Sequence, residues 1–373
     1  MEKVTRRKFI KITSVGFAFS AIPSLSVSSL LASIKEPYVR KARYYSKREN
    51  NAVQCHLCPR HCYVLEGNRG YCDVRENRKG EYYTLVYGRL VAIHIDPIEK
   101  KPLFHFLPGT TALSVATAGC NVDCKFCQNW NISQALPEEV PSKFASPENL
   151  AYLANKYKTP TIAFTYTEPV VFTEYVYDCA SIGKDFNVRS VMISNGFINK
   201  KPMSDLCNVL DAVKIDFKSF NPDFYKKIVR GRLKPVLDTL VLLKEKGIWY
   251  EMVYLVIPTL NDNPQEIREM SKWILSNLGP DVPIHFTRFH PEYLLTNLPP
   301  TPKTTLETAY KVAKDAGINY VYIGNIPGHP AESTYCPSCG KILINRIGYY
   351  VKAINIKNGK CKFCGQSIPG VWK

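Results

Sequence analysis

The chain has 373 residues, of which 45% are apolar and 22% charged. That length allows about two domains around a sizeable core, and the composition is that of a folded soluble protein, which excludes a peptide scaffold, a disordered chain and a polytopic membrane protein. The net charge of +17 would point to nucleic acid or anionic lipid if it formed one patch, but residues 1 to 11 and 35 to 49 each carry +4, leaving about +9 on the rest.

Thr5-Arg6-Arg7-Lys8-Phe9-Ile10-Lys11 precedes an uncharged run from Ile12 to Ile34. A basic start followed by an apolar stretch is the layout of a targeting segment. The string is similar to the twin-arginine export signal, with Ile10 where that signal prefers leucine. Serines, Gly16 and Pro23 dilute the apolar run, so it suits a signal better than a spanning helix. Residues 1–34 are therefore expected to be a twin-arginine-type signal or anchor. The protein would be assembled in the cytoplasm and then exported or held at the membrane; retention in the cytoplasm is the alternative. Residues 35–50 read as a basic, solvated linker.

The 13 cysteines fall into groups of four, three, two and four, and tight C-x2-C pairs in a chain this long favour metal over a disulfide framework. Cys55, Cys58, Cys62 and Cys72 lie within eighteen residues, close enough for one zinc ion or one iron-sulfur cluster, and spacing does not choose between them. His56 and His61 read as solvated loop residues. Tyr82 to Val86 and Arg89 to Ile95 alternate like an antiparallel hairpin around Gly88, completing an N-terminal segment over 51–109.

From 110 to 330, β-rich runs alternate with amphipathic stretches. The expected strands are Ala112 to Thr117, Thr161 to Thr165, Ser190 to Ser194, Ala212 to Asp216, Trp249 to Ile257, Ile284 to Phe289 and Tyr320 to Ile323. Helix starts are signalled at Ser146-Pro147-Glu148, Glu168-Pro169, Asn221-Pro222 and Asn263-Pro264. Repeated strand-helix units require a parallel sheet with right-handed crossovers, so the core is α/β, and its chemistry belongs in the loops after the strands. Beyond it, Cys336-Pro337-Ser338-Cys339-Gly340 and Cys361-Lys362-Phe363-Cys364-Gly365 read as the paired knuckles of a four-thiolate zinc ribbon over 331–373. Cys179 and Cys207 sit on predicted helices and read as core residues.

Directly after the first of these strands comes Gly119-Cys120-Asn121-Val122-Asp123-Cys124-Lys125-Phe126-Cys127. Three thiolates in eight residues can hold three corners of a [4Fe-4S] cluster and leave the fourth iron open. An open iron can chelate S-adenosylmethionine and pass one electron to its sulfonium. A three-cysteine zinc site completed by histidine is the alternative.

This C-x3-C-x-aromatic-C loop resembles that of the radical S-adenosylmethionine (radical SAM) superfamily, within it the relatives of pyruvate formate-lyase and other glycyl-radical activating enzymes. Asp96-Pro97-Ile98-Glu99-Lys100-Lys101-Pro102-Leu103, Cys127-Gln128-Asn129-Trp130-Asn131-Ile132-Ser133-Gln134, His285-Phe286-Thr287-Arg288-Phe289-His290-Pro291 and the paired knuckles are similar to the radical enzyme of the AmmeMemoRadiSam system. The resemblance spans residues 50 to 373 and implies a partial (β/α)6, TIM-like barrel.

Carried onto this chain, the resemblance implies that Cys120, Cys124 and Cys127 hold the cluster, with Phe126 beside it. Thr167 and Glu168, in Tyr166-Thr167-Glu168-Pro169, occupy the place of a Gly-Gly-Glu segment that positions the cofactor's amino group; the glycines are replaced. Asn195 falls in a partial match to Asp-Thr-Asn-Gly, with Ile193 at the aspartate. Asp216 and Lys218 match an Asp-Leu-Lys motif at the cofactor's methionyl end and are the candidate catalytic pair. His290 aligns with a strand-end histidine. Val253 stands where activases carry arginine, with Glu251 a weak substitute. The expected activity is reductive cleavage of S-adenosylmethionine to methionine and a 5'-deoxyadenosyl radical that abstracts hydrogen from an unidentified substrate. The expected partners are a low-potential electron donor and a protein substrate or AmmeMemoRadiSam-system proteins. RNA modification and a non-catalytic zinc-binding interaction protein are the alternatives; nucleic acid has weak support in the charge.

Overall fold

The computed structural model describes residues 37–373; the twin-arginine-like string and the apolar run after it lie outside the described residues. Among those described, no helix is long and apolar enough to cross a membrane. The main sheet has eight strands in sequence order: β1 (Ala92–Pro97), β2 (Thr111–Ala116), β3 (Thr161–Phe164), β4 (Arg189–Ser194), β5 (Ala212–Asp216), β6 (Trp249–Val256), β7 (Ile284–Arg288) and β8 (Val321–Gly324). β1 pairs antiparallel with β2, and every later neighbour is parallel. Between the parallel strands run α1 (Pro147–Lys156), α2 (Thr173–Asp185), α3 (Lys200–Cys207), α4 (Leu233–Lys246), α5 (Pro264–Asn277) and α6 (Lys303–Ala316). This is an α/β partial barrel of six strand-helix units, and all seven expected strands are present.

The helices start where short polar side chains satisfy their first N–H groups. Ser146 Oγ accepts from Asn149 N at 3.2 Å before α1, and Asn263 Oδ1 accepts from Gln265 N at 2.8 Å before α5. The strands are buried on both faces, as parallel strands under helices must be. On the concave face the small side chains of Ala112, Ala163 and Ala212 leave room that Ile98, Leu103, Phe106 and Leu107 fill. The segment after β1 thus plugs the barrel's lumen and leaves a cavity above it.

Two expectations need correction. The anticipated hairpin around Gly88 does not form: Glu81–Thr84 pairs with Arg75–Arg78 and Arg40–Lys41, whereas Arg89–Leu90 pairs with Lys143–Phe144 and Ala92–Pro97 joins the main sheet. Gly88 instead lets the backbone pass Phe144 and Ala145, where a Cβ would meet Ala145 O at 2.6 Å. The described part of the supposed linker is also ordered: Arg40–Lys41 and Tyr45–Lys47 are strands. Glu81 ties them together, binding Lys41 at 2.6 Å, Lys47, and the Tyr45 hydroxyl at 2.6 Å.

Residues 334–373 form small antiparallel sheets, Thr334–Tyr335, Ile342–Ile347 and Tyr350–Ile354 in one, Ile356–Lys357 and Lys360–Cys361 in another. They pack on the barrel through Phe104, Tyr320, Tyr322, Leu343, Ile344 and Ile368.

Candidate active site

At the C-terminal ends of the parallel strands lies a cavity of about 620 Å³. Cys120, Cys124, Cys127 and Phe126 line it from the loop after β2, Thr167 and Glu168 from the end of β3, Asn195 from the end of β4, and Asp216 and Lys218 from the end of β5. Cys120 and Lys218, 98 positions apart in sequence, meet here because the strands deliver their following loops to the same rim.

The cysteine loop is held from several sides. Asn121 Nδ2 donates to Phe197 O at 2.7 Å, Asn195 Nδ2 to Asn121 Oδ1 at 2.9 Å, and Arg60 Nε to Asn121 O at 2.9 Å. The chain from Tyr225 to Val229 forms a wide π-helical turn, and its Ile228 and Val229 carbonyls accept from Lys125 N and Asp123 N at 3.0 and 3.2 Å. Cys127 Sγ lies 3.2 Å from Ser133 Oγ, and Asn195 Nδ2 lies 3.9 Å from Cys120 Sγ. Burial pushes the Cys124 thiol up to about 12 and Cys120 well above its usual value, so these thiols are protonated unless a metal draws the proton off.

Asp216 Oδ1 is paired with Lys214 and Oδ2 with Lys218 at 3.3 Å. Burial opposes its ionisation, but the two ammonium groups outweigh burial and hold it below the usual carboxylate range. Lys218 is likewise desolvated, yet the Asp216 carboxylate raises it, keeping it protonated. Burial pulls Lys214 down, against the pull of Asp216. Glu168 is committed locally: Oε1 accepts from Val170 N at 3.1 Å and Ser194 Oγ at 2.7 Å, and Oε2 from Asn195 N at 2.7 Å. It caps the turn after β3 and ties it to β4, and burial pushes its carboxyl up to about 7. Thr167 Oγ1 donates to Thr117 O at 2.7 Å and keeps its lone pairs free to accept.

His290 is not brought to the cavity. It is exposed, with Nδ1 donating to Pro291 O at 3.0 Å, and it is not among the residues that line the cavity. The histidine in the cavity wall is His285, 2.8 Å from Glu251 Oε2. Glu251 also accepts from Phe104 N at 2.9 Å and His105 N at 2.8 Å, so it anchors the lumen plug and is not a substitute for the activase arginine. Val253 does line the cavity.

Lys214, Lys101, Tyr166 and Tyr349 are among the lining residues that the sequence reading missed. Lys214 shares a face with Asp216, and a lysine inside an otherwise apolar parallel strand was a legible signal. Lys101 and Tyr166 converge on Asp96, which Lys100 also binds at 2.9 Å. Burial pulls Lys101 down to about 8, and Tyr166 has φ 65, a strained conformation for a bulky residue. Tyr349, from the tip of the C-terminal hairpin, also lines the cavity. That hairpin is pinned by Glu332, which accepts from Gly348 N at 3.0 Å. Arg346, almost fully buried, reaches into the barrel to bind Thr334 Oγ1 at 2.9 Å and Phe104 O at 2.7 Å and lies 3.6 Å from Glu99.

The C-terminal thiols converge: Cys336 and Cys364 Sγ are 3.6 Å apart, Cys339 and Cys361 3.8 Å, and all four lie within 4.8 Å of one another. Tetrahedral coordination with metal–sulfur bonds of ~2.3 Å places thiolates about 3.8 Å apart, so this set fits one metal ion.

A partial α/β barrel with three thiols on one strand-end loop and a cavity above them is the architecture of an enzyme that works on a cluster-bound cofactor. The radical SAM superfamily model matches residues 114–274. An uncharacterized protein of Methanocaldococcus jannaschii is 47% identical over 332 residues, covering 88% of this chain and 99% of its own. The pyruvate formate-lyase-activating enzyme of Listeria monocytogenes is 25% identical over 175 residues, 42% of this chain and 66% of its own. A crystallised domain of the pyruvate formate-lyase-activating enzyme from Bacteroides vulgatus superposes with a TM-score of 0.39 at 15% identity, over 44% of this chain and 98% of that one. The chain belongs to the radical SAM superfamily, a family of enzymes that use S-adenosylmethionine and a [4Fe-4S] cluster.

Proposed function

We propose that the protein is a radical SAM enzyme that binds a [4Fe-4S] cluster through Cys120, Cys124 and Cys127 and abstracts hydrogen from a protein substrate, as activases do. The observation that carries this reading is that three thiols of one loop line the cavity while, among the described residues, no fourth cysteine joins them there. Among the described residues only the C-terminal thiols gather three or more ligand atoms within 4.8 Å, so Cys120, Cys124, Cys127 and His285 are not drawn together as the zinc alternative requires. When bound, the cluster and S-adenosylmethionine supply a one-electron cleavage of the sulfonium that yields a 5'-deoxyadenosyl radical.

The chain's own part is binding, charge balance and exclusion of water. Lys218, kept protonated by Asp216, offsets the negative charge that three thiolates bring to a desolvated site. Asp216 and Lys218 are the groups for the methionyl end of the cofactor. Glu168 holds the turn after β3 in place, and Thr167 Oγ1 is the acceptor there for an ammonium group. Buried Phe126 screens the loop from solvent, and Asn195 fixes the loop through Asn121.

The C-terminal set is assigned zinc, and AmmeMemoRadiSam-system proteins are the candidate partners on the similarity of the motifs given above. Anaerobic reconstitution with iron and sulfide, followed by dithionite and S-adenosylmethionine, is expected to yield 5'-deoxyadenosine; a yield no higher than that of Cys124→Ala would overturn the assignment. Localisation is proposed as twin-arginine export or membrane association. Fractionation of the protein with and without Arg6→Lys and Arg7→Lys tests it, and an unchanged soluble distribution would refute it.

A further inference from the structure

Cys55, Cys58, Cys62 and Cys72 take no part in the site above, yet they share its hydrophobic core with Cys124 and Phe126. Cys55 N donates to Cys62 O at 2.9 Å and His61 N to Cys58 O at 3.2 Å, closing residues 55–62 into one turn. The chain returns to it through Gly70, where a Cβ would meet the Tyr82 hydroxyl at 2.5 Å, and Tyr71 N donates to Cys62 Sγ at 3.5 Å. His56 is engaged by Ser46 Oγ at 2.9 Å.

Two observations decide what these thiols hold. Among the described residues only the C-terminal set gathers three or more ligand atoms within 4.8 Å. The N-terminal thiols stand farther apart than a single tetrahedral ion draws its ligands. So do Cys120, Cys124 and Cys127. Wider spacing suits a cluster, in which each thiolate binds a different iron. The second observation is Arg75, which is 1% exposed. Its Nε donates to Val171 O at 3.3 Å and its Nη2 to Glu174, but its Nη1 has no partner. Arg75 follows Cys72 by three residues in the chain. An orphaned buried donor is costly, and the sulfurs of an anionic cluster would satisfy it.

The set also adjoins the cavity loop. Gly119 has φ +95, and a Cβ there would lie 2.9 Å from Cys72 O, so the Cys72 peptide touches the residue before Cys120. Standard bond lengths then bound the separation of the Cys72 and Cys120 sulfurs at roughly 16 Å.

We propose that Cys55, Cys58, Cys62 and Cys72 hold a second [4Fe-4S] cluster that relays electrons to the one in the cavity. A low-potential one-electron donor reduces the second cluster from its 2+ to its 1+ state. The same electron then passes to the cavity cluster, which is reduced as the second returns to 2+; no bond or proton moves. The relay rests on the proposed radical chemistry, whereas the metal assignment stands independently of it.

The test uses the full chain with Cys120→Ala, Cys124→Ala and Cys127→Ala, reconstituted anaerobically with iron and sulfide. About four iron and four sulfide per chain are expected, one cluster's worth, besides the C-terminal zinc. Zinc in both sets without sulfide, or no metal at the N-terminal set, overturns the proposal. If the triple variant does not fold, Cys124→Ala alone serves, with its excess of iron over that of the Cys58→Ser/Cys62→Ser/Cys124→Ala chain as the readout. In the dithionite-reduced wild-type protein, two neighbouring spins should split the electron paramagnetic resonance signal, and the splitting should vanish in the triple variant. Two uncoupled signals overturn the relay. Arg75→Gln should lower the potential of the N-terminal cluster and Arg75→Lys should restore part of it; an unchanged potential overturns the place given to Arg75. Iron and sulfide in the triple variant without 5'-deoxyadenosine from the wild type would remove the proposed function and leave this site standing.

Discussion

Gly119→Ala probes the junction on which the cysteine loop turns. The glycine has φ +95, and a Cβ would stand 2.5 Å from Val74 Cγ1 and 2.9 Å from Cys72 O. An L-residue in the left-handed region costs about 1–2 kcal/mol, and forcing an extra methyl into a packed core costs about 1–3 kcal/mol. Together they give a loss of about 3 kcal/mol, which at a urea slope of ~3 kcal/mol per M moves the unfolding midpoint down by about 1 M. Val74→Ala removes the closer clash but not the Cys72 carbonyl, so the double variant should recover part of the loss, with a coupling of about 1 kcal/mol in the cycle. Iron retention after reconstitution should fall in Gly119→Ala, since Cys120 is the next residue. A variant with the wild-type midpoint and full iron content would refute the packing argument.

Other outcomes follow from the buried polar groups. Arg346→Met leaves Glu99, whose carboxyl burial already pushes up, without its cation; equilibrium unfolding should show a loss of about 3–5 kcal/mol, with more than half restored by adding Glu99→Gln. Burial pulls His105 down to about 4, so the folded state resists a proton that the unfolded chain binds below about 6.5. The stability His105 contributes is therefore full above that pH and lost as pH falls toward 4, by up to about 3 kcal/mol. The difference in unfolding free energy between wild type and His105→Gln should shrink over that window and stay flat above pH 7. A chelator should release one metal ion per chain from the C-terminal set, and Cys339→Ser should abolish that equivalent while leaving the iron content unchanged, both read by metal analysis.

Much of the architecture was legible in one dimension. β-rich runs such as Thr161 to Thr165 and caps such as Ser146 and Asn263 are local signals, because strand burial and the first free N–H groups of a helix are decided within a few residues. The cysteine spacings belong to the same class: ligands on one short loop meet whatever surrounds them. The parallel sheet followed from the repeated strand-helix units, while the barrel order of its strands, and with it the rim on which Cys120, Glu168, Asn195 and Asp216 gather, was implied by the family resemblance.

What the sequence could not determine was how side chains from different elements share charge and space. Lys101, Tyr166 and Asp96 form one group only because β1 and β3 flank β2, and Arg346 enters the barrel only because the C-terminal sheets dock on Phe104. His290, adjacent in sequence to a strand that serves the site, is exposed and does not line the cavity, while His285 is held by a glutamate 34 residues earlier. Local chemistry therefore determined the elements and the thiol loops, and long-range packing in three dimensions decided which polar groups are buried together and which thiol sets are neighbours.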